Sequence, residues 1–226
     1  MLDYKRRVKT ILSALLAGLI ALVAASASAL DTNAWNSSIN TETKERYIPV
    51  ELWSGAEWDG KKELKMAKVD ANFRHRESYQ IKGPTEWKHP VTAETFLVYE
   101  RSNPGRRASD AKWQLFAINQ EKNGLGRVYD SRPDLGTRTF SGGLKFPLGN
   151  WKEGETRTFA YKRYDKTRQS DRAELITIKQ IAFTFQNSPN CLEFYWAETE
   201  IDGKKIIDHH TYIYCPGKSM VSEVHH

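Results

Sequence analysis

Cys191 and Cys215 are the only cysteines in the chain, and the stretch between them limits the fold more than any other. It reads CLEFYWAETEIDGKKIIDHHTYIYC, two runs rich in aromatic and β-branched residues on either side of Asp202-Gly203. Runs of that kind flanking Asp-Gly predict a β-hairpin. A two-residue loop at Asp202-Gly203 pairs positions whose numbers sum to 405, which sets Trp196 opposite His209 and Cys191 opposite Tyr214. One more residue in the loop gives a sum of 406 and sets Cys191 directly against Cys215. That second register also opposes Glu198 and Asp208, a mildly unfavourable like-charge pair. A bulge between the turn and the cysteines reconciles the two demands. In either register a Cys191–Cys215 disulfide closes a loop of 24 residues, worth about 3 kcal/mol on chain-entropy grounds.

A disulfide belongs in an oxidising compartment, and the start of the chain points the same way. Lys5, Arg6, Arg7 and Lys9 precede an apolar run, Ile11 to Ala25, and Ala27-Ser28-Ala29 follows it. This is the secretory pattern, and the run is shorter than a membrane span. Residues 1–29 are therefore expected to be a signal peptide, leaving a soluble, periplasmic or secreted chain from Leu30 with no transmembrane span after its removal. Without those residues the net charge falls from +6 to +3, too little to mark a nucleic-acid partner.

Downstream, turn signals recur every dozen residues or so between short alternating runs, which predicts an all-β fold. We expect a curved antiparallel sheet, an open barrel or a sandwich, built from a meander of hairpins over residues 47–226. Residues 30–46 are polar and aperiodic and read as a flexible lead. Tyr47–Gly55 reads as a strand with Pro49 near its start, turning at Asp59-Gly60 into a return strand around Leu64 and Met66. Gly83-Pro84 and His89-Pro90 bracket Trp87 in a loop. Phe96–Glu100, Trp113–Ile118 and Leu125–Tyr129 read as strands. Gly142-Gly143 is the natural joint between possible halves, 47–141 and 146–226. Thr156–Tyr164 reads as a strand, then a charged tip over Asp165–Arg172. In AELITIKQIAFTF, Ile176 and Ile178 share one parity and Ile181, Phe183 and Phe185 the other, so a bulge near Lys179-Gln180 would bring both sets to one face.

The second half resembles uncharacterised exported bacterial proteins with a strand-rich periplasmic domain of unknown function. Phe146-Pro147-Leu148, Gly154-Glu155, and Tyr212 through Cys215-Pro216-Gly217-Lys218-Ser219-Met220-Val221 carry the resemblance, over residues 146–221. It implies a curved antiparallel sheet in the periplasm and no set of catalytic residues.

Chemistry is sparse in the motifs. G-x-S-x-G is absent, Ser219 reads as a turn residue, and catalytic residues are not expected, although a hydrolase on a β scaffold is a rival reading. No C-x-x-C supports a redox role, and no cofactor is expected. His209 and His210 are neighbours on a strand, so they point to opposite faces and cannot chelate together. Either one needs distant partners, such as His75, His89 or a carboxylate, so no metal is expected, with His209 and His210 as outside candidates and a metal-binding protein as an alternative. The terminal His225-His226 reads as a mobile tail. The aromatic residues are the remaining signal: Tyr195, Trp196 and Tyr212 are the candidate ligand-binding residues. The expected function is binding or scaffolding in the periplasm, with a small apolar or glycan ligand, a lipid, or an envelope protein as partner.

Overall fold

The computed structural model describes residues 30–54, 62–67, 74–103, 112–119, 124–132, 136–165 and 168–226. The expected signal segment and the Asp59-Gly60 turn lie outside the described residues. The architecture is all-β and antiparallel. Strands β3 (Lys62–Ala67), β4 (Arg74–Lys88), β5 (Thr95–Asn103), β6 (Lys112–Asn119), β7 (Gly124–Arg132) and β8 (Gly136–Ser141) form a meander. The sheet continues from β8 into β11 (Thr156–Asp165), β12 (Arg168–Phe185), β13 (Ser188–Glu200), β14 (Ile206–Cys215) and β15 (Ser219–His225). With β9 (Phe146–Pro147) paired to β7, this makes a 12-stranded sheet. Its two edges, β3 and β15, come alongside each other. No ladder joins them among the described residues, so the sheet curls without closing.

Both slips are present, although the one in β12 brings only Ile181 of its set into the core: Phe183 and Phe185 stay half-buried beyond two further shifts. Residues of β13 and β14 pair with a sum of 406 from Leu192↔Tyr214 to Glu198↔Asp208, then slip at Glu198/Thr199 so that Thr199 pairs with Ile206. The bulge sits between turn and cysteines. The loop is longer than two residues: the Glu200 N–H donates to the Lys205 carbonyl, and Gly203 takes φ +73° inside it. The Cys191–Cys215 disulfide joins the far end. In β12 the ladder slips between Ile178 and Gln180, which places Ile176, Ile178 and Ile181 together in the core.

Elsewhere the structure departs from expectation. Residues 30–46 are not a flexible lead. Asp31 caps a short helix, Thr32–Ser37, by accepting from the N–H groups of Asn33 and Ala34. Trp35 is buried under the Arg46 guanidinium, 3.2 Å from its centroid, and Arg46 donates to the carbonyls of Ile181, Asn190 and Trp35. A composition that reads as a lead thus hides one tryptophan and one arginine that bind it to the core. β1 (Ile39–Asn40), β2 (Glu45–Ile48) and β10 (Gly149–Lys152) form a second, 3-stranded sheet. The strand expected from Tyr47 stops at Ile48. Pro49 cannot donate to a ladder, and Glu51–Ser54 turns helical, with Leu52 and Trp53 donating to the Pro49 and Val50 carbonyls. Trp53 then buries against Phe146, Phe194 and Tyr214. The loop expected around Trp87 is part of β4, which absorbs Gly83-Pro84 as a register slip between Lys82 and Thr85. The charged tip at 165–172 is strand for most of its length. The terminal histidines are no tail, since His225 pairs with His210 in the β14–β15 ladder.

Candidate functional site

Alternate residues of a strand share a face, and along three neighbouring strands the face inside the curl changes character in step. From the disulfide end, β13 presents Leu192, Phe194, Trp196, Glu198; β14 presents Tyr214, Tyr212, His210, Asp208; and β12 presents Ile178, Ile176, Glu174, Arg172. The interior is therefore apolar at one end and ionised at the other. Leu192, Phe194, Tyr212, Tyr214, Phe146 and Trp53 belong to the apolar core.

The polar half holds two groups of side chains. In the first, Asp130 is fully buried and meets Arg138 at 2.8 Å, Arg132 at 3.3 Å and Arg127 at 3.7 Å. Burial alone would raise its pKa, but the three guanidinium groups outweigh it and hold it at about 2. Glu198 is likewise ringed by Arg163, Arg172 and Arg127 at 2.9, 3.8 and 3.9 Å. Those three cations offset the like charge of Asp208 across the ladder.

The second group lies at Trp196. Between β8 and β9 the chain turns inward at Gly142-Gly143 and lays Leu144 and Lys145 inside the curl. Close approach requires glycine here: a Cβ on Gly126 would sit 2.2 Å from the Gly143 carbonyl oxygen. The Leu144 N–H donates to the Glu174 carboxylate, the Trp196 indole N–H donates to the Leu144 carbonyl, and the Lys145 N–H to that of Leu125. Lys145 is 6 % exposed, and its ammonium stands 5.0 Å from the Trp196 ring and 5.8 Å from Tyr212. Among the described residues it has no ion-pair or hydrogen-bond partner. Burial, reinforced by Arg127, holds its pKa down to about 7. Burial pushes the Glu174 carboxyl the other way, to about 8. The Tyr212 hydroxyl is buried without a hydrogen-bond partner among the described residues.

At the edge of this group, His210 Nε2 lies 3.0 Å from Asp208 Oδ1 and Nδ1 lies 3.0 Å from Glu223 Oε1. Burial opposes ionisation of Asp208 and Glu223, yet His210 holds both carboxyls far below their ordinary range. His225 packs its ring 3.9 Å from that of His210, and burial, with His210 beside it, lowers its pKa to about 4.

The three aromatic candidates do not share one surface. Trp196 and Tyr212 are wholly buried inside the curl, whereas Tyr195 is on the other face, its hydroxyl 3.0 Å from His209 Nδ1. His209 and His210 diverge as expected, and each packs on its own aromatic, Tyr195 and Trp196. His210 is buried. His89 is occupied elsewhere, its Nδ1 accepting from Val91 and Thr92. Sequence reasoning missed Lys145, Glu174, Arg127 and Asp130. It also missed Asp208, Glu223 and His225, for which a signal existed: Asp208-x-His210 and Glu223-x-His225 place a carboxylate and an imidazole on one face of each of two strands. No helix among the described residues is long and apolar enough to cross a membrane.

No family model, no curated protein and no solved structure matches this chain.

Proposed function

We propose that this chain is an exported binding protein that takes an anionic group, a carboxylate or phosphate, at Lys145 inside the curled sheet. The observation that carries the reading is the Lys145 ammonium, buried beside Trp196 and Tyr212 and unpaired among the described residues. Burying a charge without a partner costs several kcal/mol. A protein keeps such a group where a ligand completes it. An anion would pair with the ammonium, and the Tyr212 hydroxyl would donate to it. Export is supported by the secretory pattern of residues 1–29 and by the disulfide.

The test is native mass spectrometry of untagged protein taken from its own cell envelope. We expect an N-terminus at Leu30 and a noncovalent anionic adduct that Lys145→Met abolishes while the fold, checked by circular dichroism, persists. A chain retaining Met1 would remove the export reading. Wild-type protein without adduct, or an adduct undiminished in the variant, would remove the ligand reading. Because Lys145 loses its charge near pH 7, anion affinity should fall as pH rises from 6 to 8.

A further inference from the structure

We propose that Asp208, His210 and His225 form a site for one divalent first-row transition-metal ion, with Glu223 as the positioning residue behind His210. The proposal does not rest on the anion reading, since it uses other side chains. One ligand atom from each of the three residues lies within 4.8 Å of the others. The fold brings them together by register alone. Asp208 and His210 alternate on β14 and so share a face, and His225 is the direct ladder partner of His210. Asp208 Oδ1 and His210 Nε2 are hydrogen-bonded at 3.0 Å, so an ion would take the place of the shared proton and bind each at roughly 2.0–2.2 Å. Small side-chain rotations would bring in the third.

Two further observations point to a ligand rather than to a bare ion pair. Behind the His210 ring, Nδ1 faces Glu223 Oε1 at 3.0 Å. Nδ1 makes no hydrogen bond among the described residues; with an ion on Nε2, Glu223 would accept from Nδ1–H and hold the ring in place. Second, among the described residues His225 Nε2 is buried with no hydrogen-bond partner, 3.6 Å from Glu223 Oε1. An unpaired buried nitrogen carries its full desolvation cost, which coordination would relieve. The Asp208 side chain is 52 % exposed, which provides the way in. Two imidazoles and one carboxylate suit Zn2+ or Cu2+ rather than Ca2+ or Mg2+. Three protein ligands leave at least one coordination position for water or another small donor.

Untagged protein, stripped with a chelator, is titrated calorimetrically with Zn2+, with Cu2+ in a parallel arm. We expect one ion per chain. Affinity should fall at least tenfold in Asp208→Asn and His225→Ala, and about 10- to 100-fold in Glu223→Gln. His209→Gln and His226→Gln, on the opposite face, should leave it unchanged. Asp208 is exposed, so Asp208→Asn reports on the site even where the buried variants fail to fold. Folded wild-type protein that binds neither ion would overturn the proposal. So would binding that is weakened only by the His209 and His226 substitutions.

Discussion

Glu174 and Lys145 are displaced in opposite directions by one cause. Each is buried in the polar half of the curl, and burial favours the neutral form of both. For Glu174 the consequence can be read in stability. Its pKa is about 8 in the folded protein, against roughly 4.3 for an unperturbed glutamate. Between those values the folded state holds a proton that the unfolded state has released, so stability from this residue falls as pH rises from about 4.5 to 8. It is constant on either side of that window. Glu174→Gln keeps an oxygen for the Leu144 N–H and removes the titration. The difference in unfolding free energy between variant and wild type should therefore swing toward the variant by a few kcal/mol, as an order of magnitude, between pH 5 and pH 8. Urea titrations at those two pH values read it. A difference that does not change with pH would mean that Glu174 is ionised in the fold. The histidines near Glu223 act in both proteins alike and cancel in the comparison.

At the scale of elements, the β13–β14 hairpin has two fixed points that demand different registers. The turn sets a sum of 405 and the disulfide a sum of 406, and the slip at Glu198/Thr199 absorbs the difference. Replacing both Cys191 and Cys215 with alanine frees the far end. Loop closure over 24 residues puts the loss at about 3 kcal/mol, measured as a lower urea midpoint. A wild type whose stability does not change under reductant would contradict this account. The hairpin was legible in the sequence because parity, turn and cysteines are local facts. The slip in β12 was legible for the same reason, since Ile178 and Ile181 cannot share a face without it. The loop expected at Gly83-Pro84 was not, because the neighbouring strand carries β4 through those breakers. Nor was Lys145. A Gly-Gly pair reads as a joint in one dimension, and only the opposing Gly126 and Glu174 show that the chain enters the interior there. The metal candidates were half legible: the alternation of Asp208 with His210 lies within one strand, but the pairing with His225 needed the edge strand to be known.

At the scale of the whole molecule, a curled, unclosed sheet has two ends to manage, and the apolar one is covered by the chain's own first segment. Trp35, Ile48, Leu52 and Trp53 join the same core as Ile181, Leu192 and Tyr214. Arg46 ties that segment to β12 and β13 through the Ile181 and Asn190 carbonyls. Truncating a buried tryptophan typically costs about 3–5 kcal/mol. Removing residues 30–46 would also take Arg46 from the carbonyls it satisfies, remove β1, and strip Glu45 and Arg46, half of β2, from the ladder with β10. Domains of this size hold only about 5–15 kcal/mol in all. A protein beginning at Leu30 should therefore unfold cooperatively, and one beginning at Tyr47 should lack a cooperative transition and a near-ultraviolet dichroism signal. Trp35→Ala is the milder form of the same experiment and should lower stability by about 3 kcal/mol or more while the protein still folds. Should the protein beginning at Tyr47 match the longer one to within about 1 kcal/mol, a difference ordinary for single substitutions, the segment would be a passenger and the apolar end would be sealed by the sheet alone.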